Sequence, residues 1–561
     1  MQLNKLLKYA GISLLLLIIN LIPVSFLKPV DFTDDRRFSL STPTLEVLDS
    51  LNDVVSVRFL FTGEVPAQLK RLQNSARNML VEFNKINPNF DYFFENPAEG
   101  TPEELKVRQA EMEKDGIVPI RFSIRLKNES KETYIYPFAI FSYGDRYVPV
   151  NLLESRNKAA DTEDVLNNSI SLLEYKYVNA IHKLTQMDKP TVLFTAGHGE
   201  LAPHETAYLE DLTRPYYDFG RIYLDQYHRI DPEADLIIVA KPTLPFSDKD
   251  LFKLDQYLMY GGKVIWYLDA LNMELDSLRF RDEFLALPYN LNLEDFFFKQ
   301  GIRLEPNLVQ DIQCSNIDLA VGKQGNREQT QPFPYLYHPI IISNSAHALV
   351  KSIGPINLFF AGSLDTVKTK TLINKKIILT TSDVSKVQMA PIRMNFDFLR
   401  IQPDPAQFKT PLIPVAVLLE GEFLSFFENR VKPEMEAGLQ QLNIPFKSQG
   451  VATKMLVVSD GDLIRNHYNQ NGQILPLGFN IQEKRKYQGN EDFALNTLNY
   501  FLDDAGLFEL RNKEVKLRLI NKEKARMQKT KYHWINIGIP LVTLLCFGLV
   551  FHWLRKKKYA W

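Results

Sequence analysis

The chain has 561 residues, of which 45% are hydrophobic and 24% charged, with a formal net charge of −1. That balance supports packed domains rather than disorder, and without a basic field there is no case for nucleic-acid binding. Two cysteines, Cys314 and Cys546, are too few for a disulfide framework or a cysteine-rich zinc or iron–sulfur site.

Residues 9–27 carry no charge, and Lys8 and Lys28 bracket them. At about 1.5 Å per residue, a helix of this length crosses a hydrocarbon core of about 30 Å. A signal peptide would need a small-residue cleavage pattern, which Pro23-Val24-Ser25-Phe26 does not offer. The stretch reads as an uncleaved anchor, with Lys5 and Lys8 on the cytoplasmic side.

A small α/β domain is expected over residues 29–188. Helical spacing covers 44–51, and 55–61 alternate as a strand. Residues 66–86 place Leu69, Leu72, Ala76, Met79, Leu80 and Phe83 on one helix face. Short strands are expected at 90–94, 120–126 and 132–143, and a closing helix at 162–184.

A second α/β domain with insertions is expected over 189–485. Residues 191–195 form a buried-type strand leading into the glycine turn Ala196-Gly197-His198-Gly199-Glu200. Another strand, 235–240, ends at Lys241-Pro242. Then come a helix over 248–260, the stop Gly261-Gly262 and an apolar strand over 263–269. Strand, helix, glycine stop and strand make a parallel βαβ unit. Residues 455–460 read as one more buried strand.

Helices and a basic stalk are expected over 486–531. The last segment, 532–561, carries a second membrane helix, uncharged from 532 to 554 and followed by Arg555, Lys556, Lys557 and Lys558. No run between the two reaches about 18 uncharged apolar residues. The expected topology is therefore two-pass, with both termini cytoplasmic and the body extracytoplasmic, periplasmic in an envelope with two membranes.

The sequence offers one tempting site. Gly197, His198, Gly199 and Glu200 lie at a strand's C-terminal end, where open α/β sheets bind ligands. Acid–base or metal chemistry is one reading. The other is a turn whose glycines supply positive φ while His198 and Glu200 satisfy neighbouring backbone. Asp460-Gly461-Asp462 reads either as a cation site or as a helix-capping turn. Cys314 has no glycine frame and reads as a passive thiol. There is no nucleophile elbow and no phosphate-binding P-loop, so neither catalytic residues nor a cofactor are expected, and no metal. Any ATP hydrolysis falls to a partner.

Several segments together carry a resemblance. They are Asp31-Phe32-Thr33 with Arg37-Phe38-Ser39-Leu40-Ser41, the turn Thr195 to Glu200, Asp235 to Pro242 leading to Leu254 to Lys263, Gly489-Asn490 with Phe493-Ala494-Leu495-Asn496, and Leu510 to Arg518. With a terminal membrane helix and basic tail, the chain resembles the auxiliary, substrate-binding-like subunits of ABC transporters, especially those associated with gliding motility. The resemblance implies a non-enzymatic subunit beside a separate permease and ATPase, with an unidentified cargo. It also implies a fold similar to class I glutamine amidotransferases, without their elbow cysteine. An envelope scaffold without a ligand, and a hydrolase using His198 and Glu200, are the competing readings.

Overall fold

Alternating burial makes Val55–Phe59 (β1) a strand with Val55, Val57 and Phe59 inside. The computed structural model describes residues 39–513 and 522–559, apart from 64, 127–128, 155–161, 279–280, 325–326, 344, 397–398, 400–402 and 442–443. The expected membrane helix over 9–27 lies outside the described residues.

The first sheet follows from local patterning. Ser41 caps helix Thr42–Asp49 (α1). Helix Ala67–Ile86 (α2) buries the apolar face expected for it. Phe90–Phe94 (β2) pairs parallel to β1, and Phe138–Tyr143 (β3) pairs antiparallel on its other side. Arg146–Asn151 (β4) completes the order β2-β1-β3-β4.

Two expectations fail here for local reasons. The single strand expected over 132–143 is two, because Pro137 has no N–H to continue a ladder. Glu129–Ile135 pairs with Ile120–Leu126, whereas β3 joins β1. The helix expected over 162–184 is likewise divided into Thr162–Ser171 and Leu173–Thr185 (α3). Around the break, the Ser169 and Ser171 hydroxyls donate to the carbonyls of Val165 and Asn168, a bond that competes with regular helix.

The second sheet has seven strands. In chain order they are Thr191–Ala196 (β5), Asp218–Tyr223 (β6), Leu236–Ala240 (β7), Val264–Tyr267 (β8), Ile373–Thr380 (β9), Pro414–Leu424 (β10) and Gln449–Val458 (β11). Their spatial order is β9-β10-β11-β8-β7-β5-β6. Neighbours from β11 to β6 run parallel, while β10 lies antiparallel between β11 and β9. Every residue of β7 and β8 is buried, as in a strand covered on both faces.

Helix Asp248–Met259 (α4) joins β7 to β8. Ser247 caps it, and Tyr257 anchors it by donating to the carbonyl of Ala234 at 2.9 Å. A side chain at Gly262 would stand 2.4 Å from the Tyr257 ring. Glycine there lets β8 start hard against the helix end. Trp266 in β8 is fully buried, with ring centroids 5.1 Å from Phe297 and 6.0 Å from Phe246.

The loosely patterned region after β8 is built of antiparallel strand pairs. Cys314–Gln324 pairs with Arg327–Ile341, and Asn307–Asp311 pairs with Ser385–Met389. These strands pack around a small core of their own that includes Leu308, Tyr335 and Phe360. The main core is continuous across the boundary expected at residue 189, holding Phe83 and Tyr177 together with Phe194, Ile265 and Leu498. Helix Gln488–Phe501 (α5) packs on this core.

The chain divides into two units, Met1–Glu514 and Val515–Trp561. In the first, both ends of the described chain meet at one buried carboxylate. Glu174 on α3 accepts from Ser41 N at 2.7 Å, Thr44 Oγ1 at 2.8 Å and Lys513 Nζ at 2.7 Å. Lys513 also donates to the carbonyl of Ser39 at 2.9 Å. Burial pushes the Glu174 carboxyl up, but Lys513 and Ser41 outweigh it and hold it below its usual value. In the second unit, one helix runs from Lys522 to Tyr559. Its segment Arg526–Lys558 is long enough to cross a membrane and contains an 18-residue stretch of mean hydropathy 2.1.

Candidate functional site

The expected site opens at the end of β5. Gly197 and Gly199 have φ of 110° and 75°, which ordinary residues avoid. Their turn places His198 inside, 8% exposed, stacked on Phe246 with centroids 4.0 Å apart. His198 Nδ1 lies 3.4 Å from Glu200 Oε1, and Nε2 lies 3.4 Å from Asp250 Oδ2. The His198 amide donates to Glu200 Oε2 at 2.6 Å, and its carbonyl accepts from Thr243 and Leu244 at 2.9 and 2.8 Å. A side chain at Gly199 would overlap the Thr243 hydroxyl at 2.0 Å. The four expected residues therefore come together as a staple joining the loops after β5 and β7.

Electrostatics agree with that role. Burial pulls the His198 pKa down, but Glu200 and Asp250 outweigh it and the net direction is up. Glu200 is pushed up by burial and held down overall by its bonds to His198. A histidine whose folded pKa is raised adds stability below its unfolded value near 6.5 and loses it as pH rises through the folded value. His198→Gln is thus expected to cost more stability at pH 6 than at pH 8.5, measured by paired unfolding curves.

Of a second cluster the sequence reading singled out only Asp460-Gly461-Asp462; it missed Lys241 and Asp269, although they occupy equivalent places at strand ends. Lys241 follows β7, Asp269 follows β8, and Asp460 and Asp462 follow β11. Lys241 Nζ lies 2.5 Å from Asp462 Oδ2, 3.1 Å from Asp269 Oδ2 and 3.2 Å from Glu274 Oε1. Arg465 adds Asp462 at 3.2 Å and Glu205 at 2.6 Å. The Gly461 amide donates to Asp269 at 2.6 Å, and Asp460 accepts from Phe359 N at 2.7 Å and Asp462 N at 2.8 Å. Gly461 is needed because a Cβ there would come within 2.6 Å of the Lys241 side chain. Lys241 itself has φ of 52°, a conformation that packing must hold against its cost.

Each charge has a local cause. Burial lowers the Lys241 pKa, but Asp269 and Asp462 outweigh it and raise it well above the usual lysine value. Burial pushes Asp462 up, yet Lys241 and Arg465 hold it below its usual range. Asp460 forms no ion pair among the described residues; burial and the neighbouring Asp462 and Asp269 raise its pKa well above the usual carboxylate range. Burial pushes Asp269 up to about 6 despite Lys241.

Asp269, Asp460 and Asp462 offer oxygens within 4.8 Å of one another. The Lys241 ammonium already occupies two of the three, Asp462 and Asp269. Of the two sequence readings of Asp460-Gly461-Asp462, the structure shows a turn, and its acids hold Lys241 and the Phe359 loop rather than cap a helix. The strand before it is β11, which ends at Val458.

Beside Asp269 the surface opens. A cleft of about 420 Å³ is lined by Leu268, Asp269 and Tyr289 together with the Leu293–Phe298 segment and Arg303 to Pro306. Cys314 is remote from this opening, in a hairpin. Burial pushes its thiol up to about 12. In a Cys546→Ser background, alkylation of Cys314 at pH 8 is expected only after unfolding.

Residues 189–497, more than half of the chain, match the family described as ABC-type uncharacterized transport system. The chain belongs to that family. In this ABC-type transport family member, residues 34–142 also match a domain of unknown function, DUF7088. No curated protein matches. Among solved structures, the "mmIFT52 N-terminal domain" is similar at 12% identity and TM-score 0.30, over 55% of this chain and 96% of that one. A putative ThuA-like protein from Parabacteroides merdae is similar at 10% identity and TM-score 0.25, over 55% and 90%. An exo-β-1,4-mannosidase from an Opitutaceae bacterium is similar at 10% identity and TM-score 0.20, over 75% and 50%. None reaches a TM-score from which a shared fold follows. Within the ABC-type transport family match lie both the His198 staple and the Lys241 cluster.

Proposed function

We propose that this chain is a non-enzymatic, membrane-anchored auxiliary subunit of an ABC transporter, with a substrate-binding-like extracytoplasmic body. Family membership supplies the transport association. The observation that carries the non-enzymatic reading is the sealed carboxyl edge of the parallel strands. Between the parallel strands β5 and β7, where the strand order reverses, the His198 carbonyl accepts directly from the opposite loop. Between β7, β8 and β11, Lys241 neutralises the acids that could otherwise work. The hydrolase alternative would need an open His198, and this one is buried and stapled.

Numbered along the chain, the parallel strands lie side by side in the order 2-1-3-4-5, which supports a doubly wound, flavodoxin-like or amidotransferase-like reading of 189–485. The Glu174 junction supports two tethers, since residues 39–44 and Lys513 leave the body at one point. A two-pass chain with both termini cytoplasmic and a periplasmic body fits that exit. The cleft beside Asp269 favours a ligand-binding body over a bare scaffold. At its finest the reading is that of the gliding-associated component GldG.

The test is a mild-detergent pull-down of the tagged chain from its native membrane. Recovery of a multi-span permease and a P-loop ATPase in fixed ratio is the expected result. Their absence from an intact, folded preparation would overturn it.

A further inference from the structure

At the carboxyl ends of the parallel strands a cleft of about 420 Å³ opens beside Asp269, just after β8. Its volume is at the small end of ligand pockets. Its walls are apolar and aromatic. Leu293 and Phe297 are buried beneath it, Tyr289 is half-buried, and Phe298 is 57% exposed.

The polar lining is acidic. Asp269 and Glu305 are each matched, by Lys241 at 3.1 Å and by Arg303 at 3.2 Å. Glu294 and Asp295 also line the cleft, are exposed, and form no ion pair among the described residues. Two unmatched carboxylates beside aromatic faces are the chemistry that holds an ammonium on an apolar body, through charge and cation–π attraction. An anion of the same shape would meet the same carboxylates unfavourably.

We infer that this cleft binds a small organic cation, an amine carried on an apolar or aromatic body, with Glu294 and Asp295 meeting the charge and Tyr289 and Phe298 the body. The inference deepens the substrate-binding reading, and its transport meaning rests on that reading. Neither acid is needed for the fold's core, because both lie on the surface.

The probe pair is phenethylammonium and 3-phenylpropionate, which share a body and differ in charge, titrated calorimetrically into the full chain in detergent. Phenethylammonium is expected to bind at least tenfold more tightly. The double variant E294Q/D295N should remove that preference, and Phe298→Ala should weaken the cation several-fold while leaving the chain folded. Equal binding of the anion, cation binding unchanged in E294Q/D295N, or no saturable binding of phenethylammonium would each overturn the inference. Charge-selective binding without a permease in the pull-down would remove the transport reading and keep the site. A recovered permease without charge selectivity would do the reverse.

Discussion

Lys241→Met is expected to cost the body about 3–5 kcal/mol, the usual loss when one partner of a buried ion pair is removed. The methionine keeps the volume but leaves Asp269 without its ammonium and Asp462 with only Arg465. Trp266 is fully buried, and the other tryptophans are Trp534, Trp553 and Trp561. With those three changed to phenylalanine, Trp266 fluorescence reports unfolding of the body in denaturant. The sign with pH follows from the direction of the shifts. In the wild type, the raised Lys241 contributes stability that is present below about 10.5 and lost as pH rises through its folded value. In the variant, Asp269, which burial already raises, rises further without its ammonium, and Asp462 loses one of the two cations that hold it down, so both take up protons more readily in the folded state. The cost should therefore shrink from pH 7 toward pH 4. A variant as stable as the wild type at pH 7 would show the cluster to be incidental.

Asn490→Ala should destabilise by about 2–5 kcal/mol, because it orphans both halves of a buried peptide. The Asn490 amide donates to the Asn357 carbonyl at 2.9 Å, and its carbonyl oxygen accepts from Asn357 N at 2.9 Å. Asn480 donates to the Asn357 side chain at 2.8 Å, so the loss spreads through a network. The preceding Gly489 belongs to the same joint, since a Cβ there would stand 2.2 Å from the Gly354 carbonyl oxygen. Unfolding curves against an exposed control, Asn471→Ala, would measure the effect. Equal midpoints would mean that water or a shifted chain replaces these bonds.

The Gly489-Asn490 pair shows how motif and structure divide the information. The sequence displays the pair at the start of a helical pattern, but its partner Asn357 lies 133 residues away. No periodicity links the two. The same holds for Lys241, which stands out only as the end of a strand before Pro242. It becomes the centre of a cluster because β8 and β11 bring Asp269 and Asp462 beside it.

By itself the sequence determined what short-range physics determines. Apolar runs marked β7, β8 and the core of β11; helical spacing and the stop Gly261-Gly262 marked α4; and an uncharged stretch marked the helix that can cross a membrane. Gly197 and Gly199 were legible because positive φ has a residue preference. Tertiary structure alone decided that His198 is a staple, that a lysine fills the acidic cluster, and that 39–44 and Lys513 meet at Glu174. Those outcomes depend on which strands lie side by side, and on how much water is removed from charges far apart in the chain.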